Sequence, residues 1–354
     1  MNDLRTTGFE ELSVDHVTLY VEDLDARVAE LARTYGFALQ ARAADQDGAR
    51  SALVGRERIR LVLTEPVAED HPAAVYLHRH GEGVADIALA VPDAAAAHAE
   101  AVRRGARPAA PPVEREGVVT ASVTAFGDVR HTFVERREGV PEHRLPGFAP
   151  AHGREPAAPT GLLEIDHFAV CLEPGRLQPV VRFYEQVLNF RNTFTEKIVI
   201  GAQAMDSEVV QNASGTVTLT LIEPDTGREP GQIDFFIKNH GGAGVQHIAF
   251  RTEDIVEAVG TMRARGVDFL TTPAAYYRLL GDRLRLSRHS TEELAALDVL
   301  ADEDHAGQLF QIFTRSAHPR RTLFYEVIER AGATTFGSGN IKALYEAVEA
   351  EQQG

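Results

Sequence analysis

The sequence predicts an α+β protein made of two tandem halves, each a pair of βαβββ modules, with a helix closing the C-terminal end. Three observations predict this. Strand-like and helix-like segments recur in the same order roughly 150 residues apart. A proline-rich stretch separates the two copies, and the strand-like segments carry apolar residues at alternate positions. Sheets built this way place their helices on one side and leave a concave face on the other.

Asp15-His16-Val17-Thr18-Leu19-Tyr20-Val21 alternates as a strand does. A helical pattern follows from Asp23 to Tyr35, then Gly36-Phe37. In the second copy Asp166-His167 opens a strand, Gln178 to Val187 has helical spacing, and Leu188-Asn189-Phe190 follows. The match continues with Leu61-Val62-Leu63-Thr64-Glu65-Pro66 against Leu219-Thr220-Leu221-Ile222-Glu223-Pro224. It returns with Gly83-Val84-Ala85-Asp86-Ile87-Ala88 against Gly244-Val245-Gln246-His247-Ile248-Ala249. The alanine-rich stretch from Pro92 to Arg104 reads as an amphipathic packing helix. Pro141, Pro146, Pro150, Pro156 and Pro159 give residues 137–160 the composition of a stiff, extended linker. The expected organisation is a structural half over residues 1–136, that linker, and a catalytic half over residues 161–354.

With 354 residues, of which 44% are hydrophobic and 25% charged, the chain can bury two ordinary cores. A net charge of −16 argues against a nucleic-acid partner, which such a field would repel. No apolar run is long enough for a membrane span and no signal peptide is visible. The single cysteine, Cys171, forms no internal disulfide and fits a reducing, cytoplasmic setting.

Three residues stand in strands where a polar group is costly without a partner: His167, His247 and Glu326. A lone strand histidine is ordinarily a hydrogen-bonded core residue. Two imidazoles and a carboxylate together form a facial metal triad with three positions left open, as in mononuclear non-haem iron(II) oxygenases. Zinc would prefer four-coordinate closure and manganese accepts the same donors, so ligand type alone does not choose. The matching places in the first half are His16, Asp86 and Thr132, which keep one donor identity of three; the metal is therefore expected in the second half alone. Alternation puts His167 on a face with Ala169 and Cys171, His247 with Val245 and Ala249, and Glu326 with Phe324 and Ile328. His305, beside Asp302, Glu303 and Asp304, reads as a solvated turn, and Cys171 as an inert buried thiol.

The second half resembles the 4-hydroxyphenylpyruvate dioxygenase family, of the vicinal-oxygen-chelate fold. The resemblance rests on Ile165-Asp166-His167, on 241–249 and 308–314, on 324–330, and on the closing Phe336-Gly337-Ser338-Gly339-Asn340-Ile341-Lys342-Ala343-Leu344-Tyr345-Glu346. It implies one Fe(II) per chain held by His167, His247 and Glu326. It also implies a small aromatic 2-oxo acid that is its own cosubstrate, with dioxygen as the other. Candidate substrate contacts are Ser207, Thr220, Ile222, Gln232, Gln311, Ile341 and Tyr345, with no catalytic residue beyond the metal ligands. The chain departs from the family in two places. Thr220-Leu221-Ile222-Glu223-Pro224 stands where the dioxygenases usually read Pro-Ile-Asn-Glu-Pro, and Gly339-Asn340-Ile341 where they read Gly-Asn-Phe. Both departures match the branch that hydroxylates the benzylic carbon to give 4-hydroxymandelate, a precursor suited to 4-hydroxyphenylglycine in peptide antibiotics. The other branch attacks the ring and gives homogentisate.

Two readings compete with an oxygenase of this family. An extradiol catechol dioxygenase would need further histidines near the metal, and His240, His289 and His318 fall in loop-like contexts. A metal-free binding module of the same fold would not need the complete triad. The residue pattern leaves room for a homodimer.

Overall fold

The structure, a computed structural model, describes residues 8–46, 48–151, 157–337 and 339–340. The expected closing helix over 340–351, with Ile341 and Tyr345, lies outside the described residues apart from Asn340. After a short 3-10 turn at Phe9–Glu11, the first half runs β1 (Ser13–Tyr20), α1 (Leu24–Thr34), β2 (Ala38–Gln46), β3 (Ala49–Arg56) and β4 (Ile59–Pro66). It continues through α2 (Pro72–His80), β5 (Gly83–Ala90), α3 (Ala94–Arg103), β6 (Pro108–Arg115), β7 (Val118–Thr124), β8 (Arg130–Arg136) and β9 (Ala149–Pro150). The second half runs β10 (Leu162–Cys171), α4 (Leu177–Leu188), β11 (Arg191–Ile200), β12 (Gln203–Gln211), β13 (Thr218–Pro224) and α5 (Gln232–His240). Then come β14 (Gly244–Thr252), α6 (Ile255–Ala264), α7 (Ala274–Arg283), α8 (Thr291–Ala296), β15 (Leu300–Glu303), β16 (Gln308–Phe313) and β17 (Phe324–Ala331).

Each half is one sheet made of two βαβββ modules joined through their first strands. The orders are β6-β7-β8-β5-β1-β4-β3-β2-β9 and β11-β12-β13-β10-β14-β17-β16-β15. In both, the joining pair is antiparallel and each opening strand lies parallel to the last strand of its own module. The two halves differ by an insertion: α7 and α8 lie between α6 and β15, where the first half passes directly from α3 to β6.

One device repeats in all four modules. A glutamate near the end of the last strand accepts a hydrogen bond from the N–H of the helix's first residue: Glu65 from Leu24 (3.2 Å), Glu135 from Ala94 (3.0 Å), Glu223 from Leu177 (2.9 Å) and Glu329 from Ile255 (2.8 Å). A carboxylate satisfies an otherwise orphaned donor there and faces the positive end of the helix. Asp23, Asp93 and Asp254 add side-chain N-caps to α1, α3 and α6. The repeated Glu-Pro of the sequence is thus a helix lock.

α1, α3, α4 and α6 pack on one face of the sheets around a continuous apolar core that runs through both halves. α2 and α5 pack on the other face, against Tyr20 and Ala85 and against Cys171 and Met205, which corrects the expectation of helices on one side alone. Across the junction Tyr35 packs edge-on against Tyr325 with ring centres 5.2 Å apart, and Phe37 against Phe250 at 5.7 Å. The proline-rich stretch is not a free spacer: Leu145 and Phe148 pack on Ala41, Leu53 and Val62, and Ala149–Pro150 pairs with the edge of β2. Proline tolerates an edge position because it lacks only a donor there. No helix among the described residues is long and apolar enough to cross a membrane.

Candidate metal centre

β10, β14 and β17 lie side by side and bring His167, His247 and Glu326 to the concave face of the second sheet. Glu326 Oε2 lies 3.3 Å from His167 Nε2 and 3.2 Å from His247 Nε2, and one donor atom from each residue falls within 4.8 Å of the others. His167, Ala249 and Glu326 occupy one row across the three strands. The fully buried Ala249 methyl between them leaves the space over which the donors converge.

Two β-bulges set these directions. The β10–β14 register skips Asp166 and skips Gln246. A bulged residue re-aims its neighbours out of strict alternation. Through the first bulge, Asp166 turns beside the ring of the next residue and accepts from His167 Nδ1 at 2.8 Å. Through the second, Gln246 and His247 both line the cavity, while Val245 goes to the main core. The expectation that Val245 shares the face of His247 is therefore corrected; the bulge breaks the period of two. Ala169, Ala249, Phe324 and Ile328 stay out of the helix-covered core, as alternation requires.

Arg330 braces Asp166 through Nε and Nη2, each at 2.8 Å. Burial would raise the Asp166 pKa, but the hydrogen bonds from Arg330 and His167 hold it well below the usual carboxylate value. Glu326 is drawn down to about 2: burial opposes ionisation, and the attraction and hydrogen bonds of His167 and His247 outweigh it. At His167 burial again opposes charge, yet Glu326 and Asp166 raise its pKa to about 9. His247 is lowered, mainly by burial. Two buried carboxylates thus draw positive charge to His167 Nε2, and a cation there satisfies the same field. With Asp166 holding the Nδ1 proton, the Nε2 lone pair faces the centre. The donor set and its surroundings fit a divalent metal of the iron type.

The cavity in front of the triad encloses about 440 Å³. Phe324 tilts over His247 with ring centres 5.0 Å apart, Phe313 meets it at 5.7 Å, and Phe336 meets His167 at 4.9 Å. Ser207, Thr220, Ile222, Gln232 and Gln311 all line the same cavity. Thr220 Oγ1 and Gln311 Oε1 are buried and have no hydrogen-bond partner among the described residues, as polar atoms kept for a ligand would. Ile341 and Tyr345 lie outside the described residues. The sequence reading missed Gln246, hidden by its bulge; Phe194 and Glu196, although they stand in the alternating half-buried row of β11; and Phe336, whose loop context carries no periodic signal.

The first half keeps the brace and loses the centre. Asp15 joins His16 (2.6 Å) to Arg136, matching Asp166, His167 and Arg330. Asp86, in the place of His247, pairs with Arg130 at 2.8 Å and accepts from Thr132, so its charge is already neutralised. Asp254, His289 and Glu329 form a second cluster of donor type. Glu329 there is committed to the N–H of Ile255, to His289 and to Arg288, as the helix lock of its module. His305 is exposed, and burial pushes the Cys171 thiol up into its protonated form.

The fold and the site define a tandem vicinal-oxygen-chelate protein with one His-His-Glu centre. Family models agree: residues 166–283 match the Glyoxalase/Bleomycin resistance protein/Dioxygenase superfamily and residues 14–188 a Glyoxalase-like domain. The 4-hydroxyphenylpyruvate dioxygenase of Dictyostelium discoideum is 35% identical over 96% of this chain and 98% of its own length. That of Danio rerio is 36% identical over 78% and 74%. A solved triple-substitution variant of 4-hydroxymandelate synthase from Streptomyces coelicolor is 42% identical, with a TM-score of 0.83 over 96% of this chain and 98% of that one. The chain belongs to the 4-hydroxyphenylpyruvate dioxygenase family.

Proposed function

We propose that the chain is an iron(II)-dependent enzyme that converts 4-hydroxyphenylpyruvate and dioxygen into 4-hydroxymandelate and carbon dioxide. His167, His247 and Glu326 would hold the iron. Iron(II) bound there would supply an anchor for the 2-oxo acid and the means to activate dioxygen. The chain's own groups do the rest. Asp166 and Arg330 fix the tautomer and aim of His167. Thr220 and Gln311 offer unpartnered polar atoms to orient the substrate. Phe313, Phe324 and Phe336 exclude water from the reacting end.

The observation that carries the product assignment is Ile222. It sits in the cavity wall, in register with Ser207 and Cys171, where the ring-attacking dioxygenases usually place an asparagine. A hydrocarbon side chain offers no hydrogen bond to hold the ring for attack, which favours reaction at the benzylic carbon. The likeness to 4-hydroxymandelate synthase supports the same choice.

The test is anaerobic loading with iron(II), addition of 4-hydroxyphenylpyruvate and air, and chromatography of the aromatic product. 4-Hydroxymandelate supports the proposal. Homogentisate replaces it with ring hydroxylation, and absence of iron uptake replaces it with a metal-free binding role.

A further inference from the structure

We propose that Glu196 is a specificity residue of this cavity, accepting a hydrogen bond from the para-hydroxyl of the substrate. The inference rests on the substrate proposed above. β11, the edge strand of the second sheet, alternates between exposed and half-buried positions, and Phe194, Glu196, Ile198 and Ile200 make up its cavity-facing row. Three of those four are apolar, as a wall against an aromatic ring should be. The fourth is a carboxylate whose Oε2 is buried with no hydrogen-bond partner among the described residues. An acceptor left unsatisfied in an apolar wall marks a place kept for a donor brought from outside.

Its position fits one particular donor. Glu196 pairs directly across the strands with Ser207, so the two side chains are neighbours on the same face. Around them the wall is mostly apolar, with Ile198, Ile200, Met205 and Ile222, and Gln232 opens α5 nearby. β11 is separated from β10, the nearest strand of the triad, by β12 and β13. The substrate's chelating end and its hydroxyl are likewise para-opposed across the ring. With the 2-oxo acid at the triad, the hydroxyl points at the far wall, where Glu196 and Ser207 lie side by side to meet it. An inward-pointing charge on an edge strand has one other established use, to deter pairing with a second edge, and the test separates the two roles.

The metal-loaded protein is titrated anaerobically with 4-hydroxyphenylpyruvate and with phenylpyruvate, and kcat/KM is then measured for both in air, for the wild type, Glu196→Ala and Glu196→Gln. The expected result is a wild-type preference for the hydroxylated compound of about tenfold or more. Glu196→Ala should abolish that preference while leaving phenylpyruvate nearly unchanged, and Glu196→Gln, which keeps a carbonyl acceptor, should retain part of it. Equal losses for both compounds, or an undiminished preference in Glu196→Ala, overturn the inference; a rise in aggregation alone would mark the edge-strand role. A wild type that binds neither compound overturns the substrate proposal itself, and this inference with it.

Discussion

Asp166 accepts a hydrogen bond at 2.8 Å from Nδ1 of His167, its immediate neighbour in the chain. Successive residues of a regular strand point to opposite faces, so this contact exists because the β10–β14 ladder skips Asp166. The same residue takes two hydrogen bonds from Arg330, four positions beyond Glu326. The bulge thus ties β10 to β17 behind the candidate metal centre. Asp166→Asn should keep the fold and weaken iron(II) affinity by about 10–100-fold, read by anaerobic titration. Arg330→Met should be worse for stability, by about 3–5 kcal/mol, because it leaves a buried carboxylate without its cation; urea unfolding checks it.

His247→Ala removes a ligand without touching the helix-covered core. Stoichiometric iron uptake should vanish, and the thermal stability of the metal-free protein should change little. Retention of tight iron binding would exclude the triad as the metal centre.

Ala249 lies between His167 and Glu326 in one row and is fully buried. Ala249→Val adds two methyl groups where the donors converge. Overpacking of this kind costs about 1–3 kcal/mol, and iron affinity should fall more steeply than stability. An unchanged affinity would show that the space over Ala249 is not where the metal sits.

Ile222→Asn tests the product assignment directly. An amide in that wall can hold the ring through a hydrogen bond, so part of the product should shift from 4-hydroxymandelate to homogentisate, measured by chromatography. Desolvating the new amide costs about 1–3 kcal/mol if it finds no partner, so unfolding is measured in parallel.

Acid should loosen the contact between the halves. Glu82 receives Arg27 of α1 (2.5 Å), His318 of the second half (2.9 Å) and the N–H of Glu22 (2.9 Å). Burial raises its pKa, but His318 and Arg27 outweigh that and hold it at about 2 against an ordinary 4.5. A depressed pKa means that this stabilisation is complete above pH 4.5 and is lost as pH falls toward 2. Glu82→Gln should cost about 1–2 kcal/mol near neutral pH, after discount for partial solvent contact, and should flatten the decline between pH 5 and pH 3 in urea unfolding.

The tandem duplication, the order of strands and helices and the three metal-ligand candidates were legible in the amino-acid order. Local periodicity and repeated short strings carry that information without any knowledge of packing. Even the helix lock was visible as a recurrent Glu-Pro, at Glu65-Pro66 and Glu223-Pro224, though not its purpose. What only the tertiary structure decided is which side chains a bulge turns. Gln246 faces the cavity, Asp166 turns beside the ring of His167, and Val245 faces the core, because ladder register is set jointly by two strands distant in sequence. The same holds for Glu196 and Phe336: one is a charge on an edge strand and the other a ring in a loop, and neither meets its partners until the sheet curls. Periodicity is a property of one segment, whereas an active centre is a property of several segments brought together. The sequence therefore named three candidate metal ligands, and the fold brought them together and supplied the brace, the space over Ala249 and the far wall of the cavity.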